Sequence, residues 1–294
     1  MSNRIKNILI STLRVDPIEA DIGIHVVPDT LFSDTQVRAR FVGPACLYSS
    51  TVEVAYSVRE HSRDYDPTGI PHLKVPGIPH ITLRAIIPEP CLWDPESPFL
   101  YRGTFELCQG DKLVDRQTLD YGIRRVQLGP KELTCNGRPI ILHGLEWKDY
   151  SSEQARALHQ AGFNTLLVPA LEESGWDLAD RFGFLVLGRI QDPLDVAKSK
   201  NQKKHASNLG WVLNEELLNH PIIQATGVSF LGQLVGVELR QPLDQPLPPG
   251  FSFILCKKGL LGLFSDIDLP KLIISEVGER PSKGVSSLGW IDPQ

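Results

Sequence analysis

The chain has 294 residues, with 30 Lys and Arg against 35 Asp and Glu, a formal net charge of −5 and a pI near 5.9. A mild acidic excess does not fit the basic, clustered footprint of a nucleic-acid binder, and 41% hydrophobic with 22% charged residues does not fit a disordered chain. No apolar run approaches the roughly 18 residues of a membrane span.

At roughly 150 residues per domain, the length predicts two domains. The short run Ile8-Leu9-Ile10 near the N-terminus is too brief for a signal-peptide core, and no small-residue cleavage site follows it. The five cysteines (Cys46, Cys91, Cys108, Cys135 and Cys256) are odd in number, widely spaced and without a C-x-x-C pair. That usage predicts buried thiols in a cytoplasmic protein, with neither a disulfide framework nor a zinc site.

From Ile5 to Leu128 the pattern is short strands separated by Pro, Gly, Asp and Ser clusters. Residues 22–27, 36–42, 51–58, 80–86 and 102–107 alternate with period two. In 36–42, Val37, Ala39 and Phe41 share one face while Arg38 and Arg40 share the other. Such spacing predicts an immunoglobulin-like β-sandwich over residues 1–127. A loop echo, Gly69-Ile70-Pro71-His72 and Gly77-Ile78-Pro79-His80, reads as turn chemistry rather than a His-pair metal site, because no third ligand is visible.

From Asn136 onward, apolar runs alternate with helix-like segments. Residues 139–142, 164–168, 184–187, 221–228, 251–256 and 271–275 read as strands, with 285–291 a possible seventh. Helices are predicted at 151–160, opened by a Ser cap and ended by Gly162, at 173–182 and at 209–219. This order predicts a parallel sheet buried on both faces. Because the span 128–294 is short beside the roughly 250 residues of a full (β/α) barrel, an incomplete TIM-type barrel is expected there. Its open edges would need covering by the C-terminal tail, the first domain, a protein partner or a second copy in a homo-oligomer.

Several stretches carry a family resemblance. Leu92-Trp93-Asp94-Pro95-Glu96-Ser97-Pro98-Phe99-Leu100-Tyr101, Asp120-Tyr121-Gly122-Ile123-Arg124, Asn136-Gly137-Arg138-Pro139, Ala161-Gly162-Phe163-Asn164 and Leu178-Ala179-Asp180-Arg181-Phe182-Gly183-Phe184 resemble glycoside hydrolase family 2, the β-galactosidase and β-glucuronidase group. Asn219-His220-Pro221 is similar to the tripeptide that precedes that family's fourth barrel strand. The N-terminal jelly-roll domain usual in that family is expected to be absent. The resemblance implies a retaining mechanism, with one carboxylate as nucleophile and a second as acid/base, about 5 to 5.5 Å apart.

Pro270 to Gly278 resembles the family's nucleophile strand and makes Glu276 the candidate nucleophile. The resemblance places the acid/base about ten residues after Asn219-His220-Pro221, yet residues 222–231 contain no carboxylate. Asn214-Glu215 mimics the expected pair but comes before that tripeptide. It therefore reads as part of the helix at the opposite end of the strand, where Glu215 would complement the helix N-terminus. Glu238 is a further distant candidate. Family sugar-binding positions are replaced by Leu167-Val168-Pro169-Ala170 and Leu187-Gly188-Arg189, and each lost partner would leave a hydroxyl desolvated at about 1–3 kcal/mol.

Glu146, Trp147, Asp149 and Arg189 fall at the catalytic end and are candidate substrate-binding residues, Trp147 either stacking on a sugar or packing against loops. Glu172, Glu173 and Asp192 there form a pocket or a solvated rim. The lysines at 198, 200, 203 and 204 read as a solvated loop. No phosphate loop, dinucleotide fingerprint or metal spacing occurs, so no cofactor is expected. The sequence thus predicts a family-2-like protein that has lost hydrolysis and binds carbohydrate or a protein partner. The alternatives are a retaining glycosidase using Glu276 with an unidentified acid, and a non-enzymatic assembly module.

Overall fold

A computed structural model describes residues 3–61, 79–130, 132–148, 151–169, 172–192, 195, 200–221, 223, 228, 234–243, 245–275 and 287–292. It divides into two compact units, Met1–Trp93 with Ser97–Arg124, and Asp94–Glu96 with Arg125–Gln294.

In the first unit seven strands form one antiparallel sheet: β1 (Ile5–Val15), β2 (Glu19–Pro28), β3 (Thr35–Ala45), β4 (Val54–Glu60), β5 (Ile81–Pro88), β6 (Leu100–Gln109) and β7 (Lys112–Tyr121). Their spatial order is β1-β2-β5-β4-β3-β6-β7. The sheet folds over so that its two end strands meet through side chains. Asp115 accepts the Ile5 N–H at 2.8 Å, Gln117 donates to the Ile5 carbonyl at 2.6 Å, and the Thr12 and Tyr121 hydroxyls bond at 2.9 Å. Ile22, Ile24, Phe41, Leu83, Tyr101 and Phe105 fill the core between the layers. Period two holds in β3: Val37 and Phe41 are buried while Arg38 and Arg40 are exposed. The sandwich architecture agrees with the sequence reading, which did not delimit β1 or β7. The Trp-to-Tyr motif is structural here. Trp93 is fully buried beneath the Arg124 guanidinium, 5.4 Å from the ring centroid, and the buried Tyr101 hydroxyl accepts the Cys91 N–H at 2.8 Å.

The second unit opens with β8 (Val126–Leu128), β9 (Leu133–Cys135) and β10 (Arg138–Ile140). Asn136 and Gly137 link the last two with φ of 53° and 78°, the double left-handed pair that a two-residue hairpin turn requires. There follow β11 (Leu142–Glu146), α1 (Ser152–Gln160), β12 (Thr165–Val168), α2 (Glu173–Phe182), β13 (Leu185–Ile190), β14 (Asn208–Asn214), β15 (Leu234–Leu239), β16 (Phe253–Lys257), β17 (Lys271–Ile274) and β18 (Ser287–Asp292).

Strands β11 to β18 form a closed, all-parallel barrel, which corrects the expectation of an incomplete one. The seam runs from Leu142 opposite Gly289 to Leu145 opposite Asp292. The ring closes in so few residues because its strands are four to seven residues long. In addition, the described connections at 200–204, 215–219 and 258–264 are 3-10 turns rather than full helices. With every barrel strand paired on both sides, there are no open barrel edges for a partner to cover.

Two strand assignments are corrected as well. Residues 209–219, expected as a helix, are strand β14 to Asn214 and a 3-10 turn beyond it. The stretch 221–228 is not the fourth strand: Pro221 and Ile223 are helical, and most of the rest lies outside the described residues. The fifth strand is β15, which the sequence reading passed over.

Leu166, Val168, Val186, Ile190, Trp211, Leu213, Val237 and Cys256 face outward, packing with Ala155, Trp176, Ala179 and Phe182 of the helices. Residues of opposite parity, Leu187, Val212 and Leu255 among them, fill the barrel axis. Asn164 fixes the register at the bottom of the barrel. It accepts the His143 N–H at 2.9 Å and donates to the Ile141 carbonyl at 2.9 Å.

Candidate functional site

The carboxyl ends of the strands form the mouth of a (β/α) barrel, where loops can be varied without disturbing the sheet. On three alternate strands the last inward-facing position carries a charge: Glu146 on β11, Arg189 on β13 and Glu238 on β15. Arg189 Nη1 lies 2.6 Å from Glu146 Oε1, and Nη2 lies 3.2 Å from Glu238 Oε2. Arg240 adds bonds of 3.3 Å from Nε and Nη2 to Glu238 Oε1. The three central side chains are 11–24% exposed. Alternate barrel strands contribute one layer of side chains, so the guanidinium spans the mouth within a single layer. Glu146 and Arg189, two predicted site residues, are thereby brought into contact. Arg240 was missed, and Glu238 had been weighed only as an acid.

The other candidates fall as follows. Trp147 is fully buried, its indole N–H donating to Gln154 Oε1 at 2.6 Å and its ring beside Phe184. A ring with no exposed face cannot stack on a sugar, so packing is its role here. Asp149 lies outside the described residues.

Glu215 follows Asn214 at the carboxyl end of β14, the fourth barrel strand. This corrects its expected place in a helix at the opposite end. Its Oε2 accepts the Arg240 N–H at 3.0 Å, and the side chain lines a cleft of about 370 Å³ with Gln241, Leu243 and Pro246. Asn214 is paired with Glu238 in the β14–β15 register. Its Oδ1 is buried without a hydrogen-bond partner among the described residues, as is Arg189 Nε.

Glu276 lies outside the described residues; it follows β17, the seventh barrel strand. Ser275 just before it is buried and fixed against the eighth strand. Its N–H donates to the Ile291 carbonyl at 3.1 Å and its hydroxyl to Asp292 Oδ1 at 2.9 Å. The chain thus carries one glutamate immediately after strand four and another two residues after strand seven.

A family model described as "Glycosyl hydrolases family 2" matches residues 47–124. The β-galactosidase of Enterobacter cloacae is 32% identical over 83 residues, 28% of this chain and 8% of that protein. That of Klebsiella pneumoniae is 28% identical over 72 residues, 24% of this chain and 7% of that protein. Among solved structures, a glycosyl hydrolase family 2 member from Bacteroides cellulosilyticus superposes with a TM-score of 0.71 at 16% identity, covering 99% of this chain and 44% of that one. A Bifidobacterium dentium β-glucuronidase complexed with coumarin-3-O-glucuronide gives 0.67 at 16% identity, covering 97% and 54%. The chain therefore spans less than a tenth of the curated relatives it matches and about half of these structural neighbours. No described helix is long and apolar enough to cross a membrane. With the sequence match in the sandwich and a sandwich-then-barrel architecture like that of these solved structures, the chain is similar to glycoside hydrolase family 2.

Proposed function

We propose that the barrel mouth binds carbohydrate and that hydrolysis is impaired. The Arg189 bridge from Glu146 to Glu238 carries this reading. In the family resemblance an acid stands at the end of the third strand; here a cation stands there, held by two carboxylates across the barrel mouth. Asn214 Oδ1 and Arg189 Nε, buried and without partners among the described residues, support ligand binding, since buried polar atoms normally have partners and a hydroxyl can supply them. The cysteine usage, odd in number and without a C-x-x-C pair, supports a reducing compartment such as the cytoplasm.

A second reading, a retaining O-glycosidase, is favoured by one observation: Glu215 stands at the end of strand four, so the chain offers an acid/base candidate besides Glu276. In that reading Glu276 attacks the anomeric carbon while Glu215 protonates the leaving oxygen, then deprotonates water. Against it, one Glu215 oxygen is committed to the Arg240 N–H and the side chain lines the cleft towards residues 241–248.

An aryl-glycoside panel together with calorimetric sugar titration tests the pair. Binding without aglycone release supports impairment. Release that disappears in Glu215→Gln or Glu276→Gln overturns it in favour of the enzyme.

A further inference from the structure

We propose that Glu173, Asp177 and His205 form a binding site for a divalent transition-metal ion, with Asp180 orienting the imidazole. This site lies on the flank of the barrel unit, between α2 and the segment leading into β14, and is independent of the carbohydrate reading.

Glu173 and Asp177 are one helical turn apart on α2, so their carboxylates share a face. His205 approaches that face from outside the helix. One oxygen from each acid and one imidazole nitrogen all lie within 4.8 Å of one another. Ligands about 2.0–2.1 Å from a tetrahedral ion stand about 3.3 Å apart. Small rotations of the two exposed carboxylates would close the difference.

An acidic helix face alone would carry little weight; the imidazole is the stronger observation. His205 is 5% exposed. Its Nδ1 bonds Asp180 Oδ2 at 2.7 Å, while Asp180 Oδ1 accepts the Ser207 N–H at 2.6 Å. The Trp176 ring stacks on it, with centroids 5.5 Å apart. These contacts fix the ring with Nε2 directed at the acids, and buried Nε2 has no hydrogen-bond partner among the described residues. The nearest acceptor, Glu173 Oε1, is 3.5 Å away, beyond a good hydrogen bond. A carboxylate on one imidazole nitrogen with the other left for an ion is the arrangement that orients and strengthens metal-bound histidines.

Three carboxylates, those of Glu173, Asp177 and Asp180, surround the imidazole, and the Lys204 ammonium is paired with Glu173. A nitrogen with two carboxylates suits zinc better than magnesium or calcium. Lys204 is the competitor that must swing aside. Sequence spacing gave no sign of this site because its ligands come from positions 173, 177 and 205, and only folding brings them together.

The test is zinc titration of the full chain by calorimetry after chelator treatment. One saturable equivalent is expected. Asp177→Asn, Glu173→Gln and the double variant should lose it, and Asp180→Asn should weaken it by about 10- to 100-fold. Lys204→Met should tighten it. Metal-free melting of Asp177→Asn, an exposed substitution, shows whether the fold is intact. Absence of uptake, or uptake unchanged in Asp177→Asn and the double variant, overturns the proposal.

Discussion

Arg189 on the third barrel strand and Glu146 on the first are joined by a 2.6 Å ion pair across the mouth of the barrel. The same guanidinium reaches Glu238 on the fifth strand, so three alternate strands are tied in one layer. In a glycosidase barrel this is where substrate polar contacts belong. Here the protein's own charges satisfy each other.

Arg189→Met should destabilise the protein. Breaking a buried ion pair costs roughly 3–5 kcal/mol, and residual exposure of the three side chains reduces this to about 2 kcal/mol. Adding Glu146→Leu should recover part of the loss, because the orphaned carboxylate is then removed. Urea unfolding of the single and double variants measures both effects.

The ring closes at Gly289, whose φ is +146° and where an added Cβ would sit 1.8 Å from the Leu142 carbonyl oxygen. Gly289→Ala therefore pushes β18 off β11. A loss of about 3 kcal/mol or more is expected, since the clash is with backbone that has no alternative rotamer. Hydrogen exchange should show the extra opening concentrated in 142–146 and 287–292.

Gly188→Ala should act in the outer layer instead. Its Cβ would meet the Trp211 ring at 2.3 Å, displacing a side chain rather than a strand. A smaller cost of about 1–2 kcal/mol is expected, with a change in tryptophan fluorescence and no change in the seam.

The Cys256 thiol is fully buried, and burial pushes its pKa up to about 11 from an ordinary 9.0. An acid with a raised folded pKa contributes stability that is intact below about pH 9 and falls as pH rises towards 11. Burial likewise raises Tyr101 and Tyr121, with the same sign. The urea midpoint should therefore drop between pH 8 and pH 10.5, less steeply in Cys256→Ala. At pH 8, thiol reagents should modify Cys46 and Cys91 in the folded protein, and Cys108, Cys135 and Cys256 only after unfolding.

What could be read from the sequence follows from what is local. The helix α1 was visible because Ser151 caps it, accepting the Gln154 N–H, and α2 because Gly183 ends it in the left-handed conformation. Strand β14 was misread because it is buried on both faces, which erases period two. Leu209, Val212, Leu213, Leu217 and Leu218 then imitate helical spacing across a strand and the turn after it. That error moved Glu215 to the wrong end of the barrel, and with it the conclusion that no acid/base candidate remained. Strand β15 was hidden by Gly236 and Glu238, a small and a charged residue in what would otherwise be an apolar run. The Glu146–Arg189–Glu238 bridge joins residues more than forty positions apart, and no spacing rule reaches that far.

The central claim is most directly tested by following aglycone release from aryl glycosides alongside sugar binding by the same preparation, in the wild type and in Glu215→Gln and Glu276→Gln. Binding in all three and no enzyme-dependent release are expected. Release by the wild type that either glutamine substitution abolishes would contradict it.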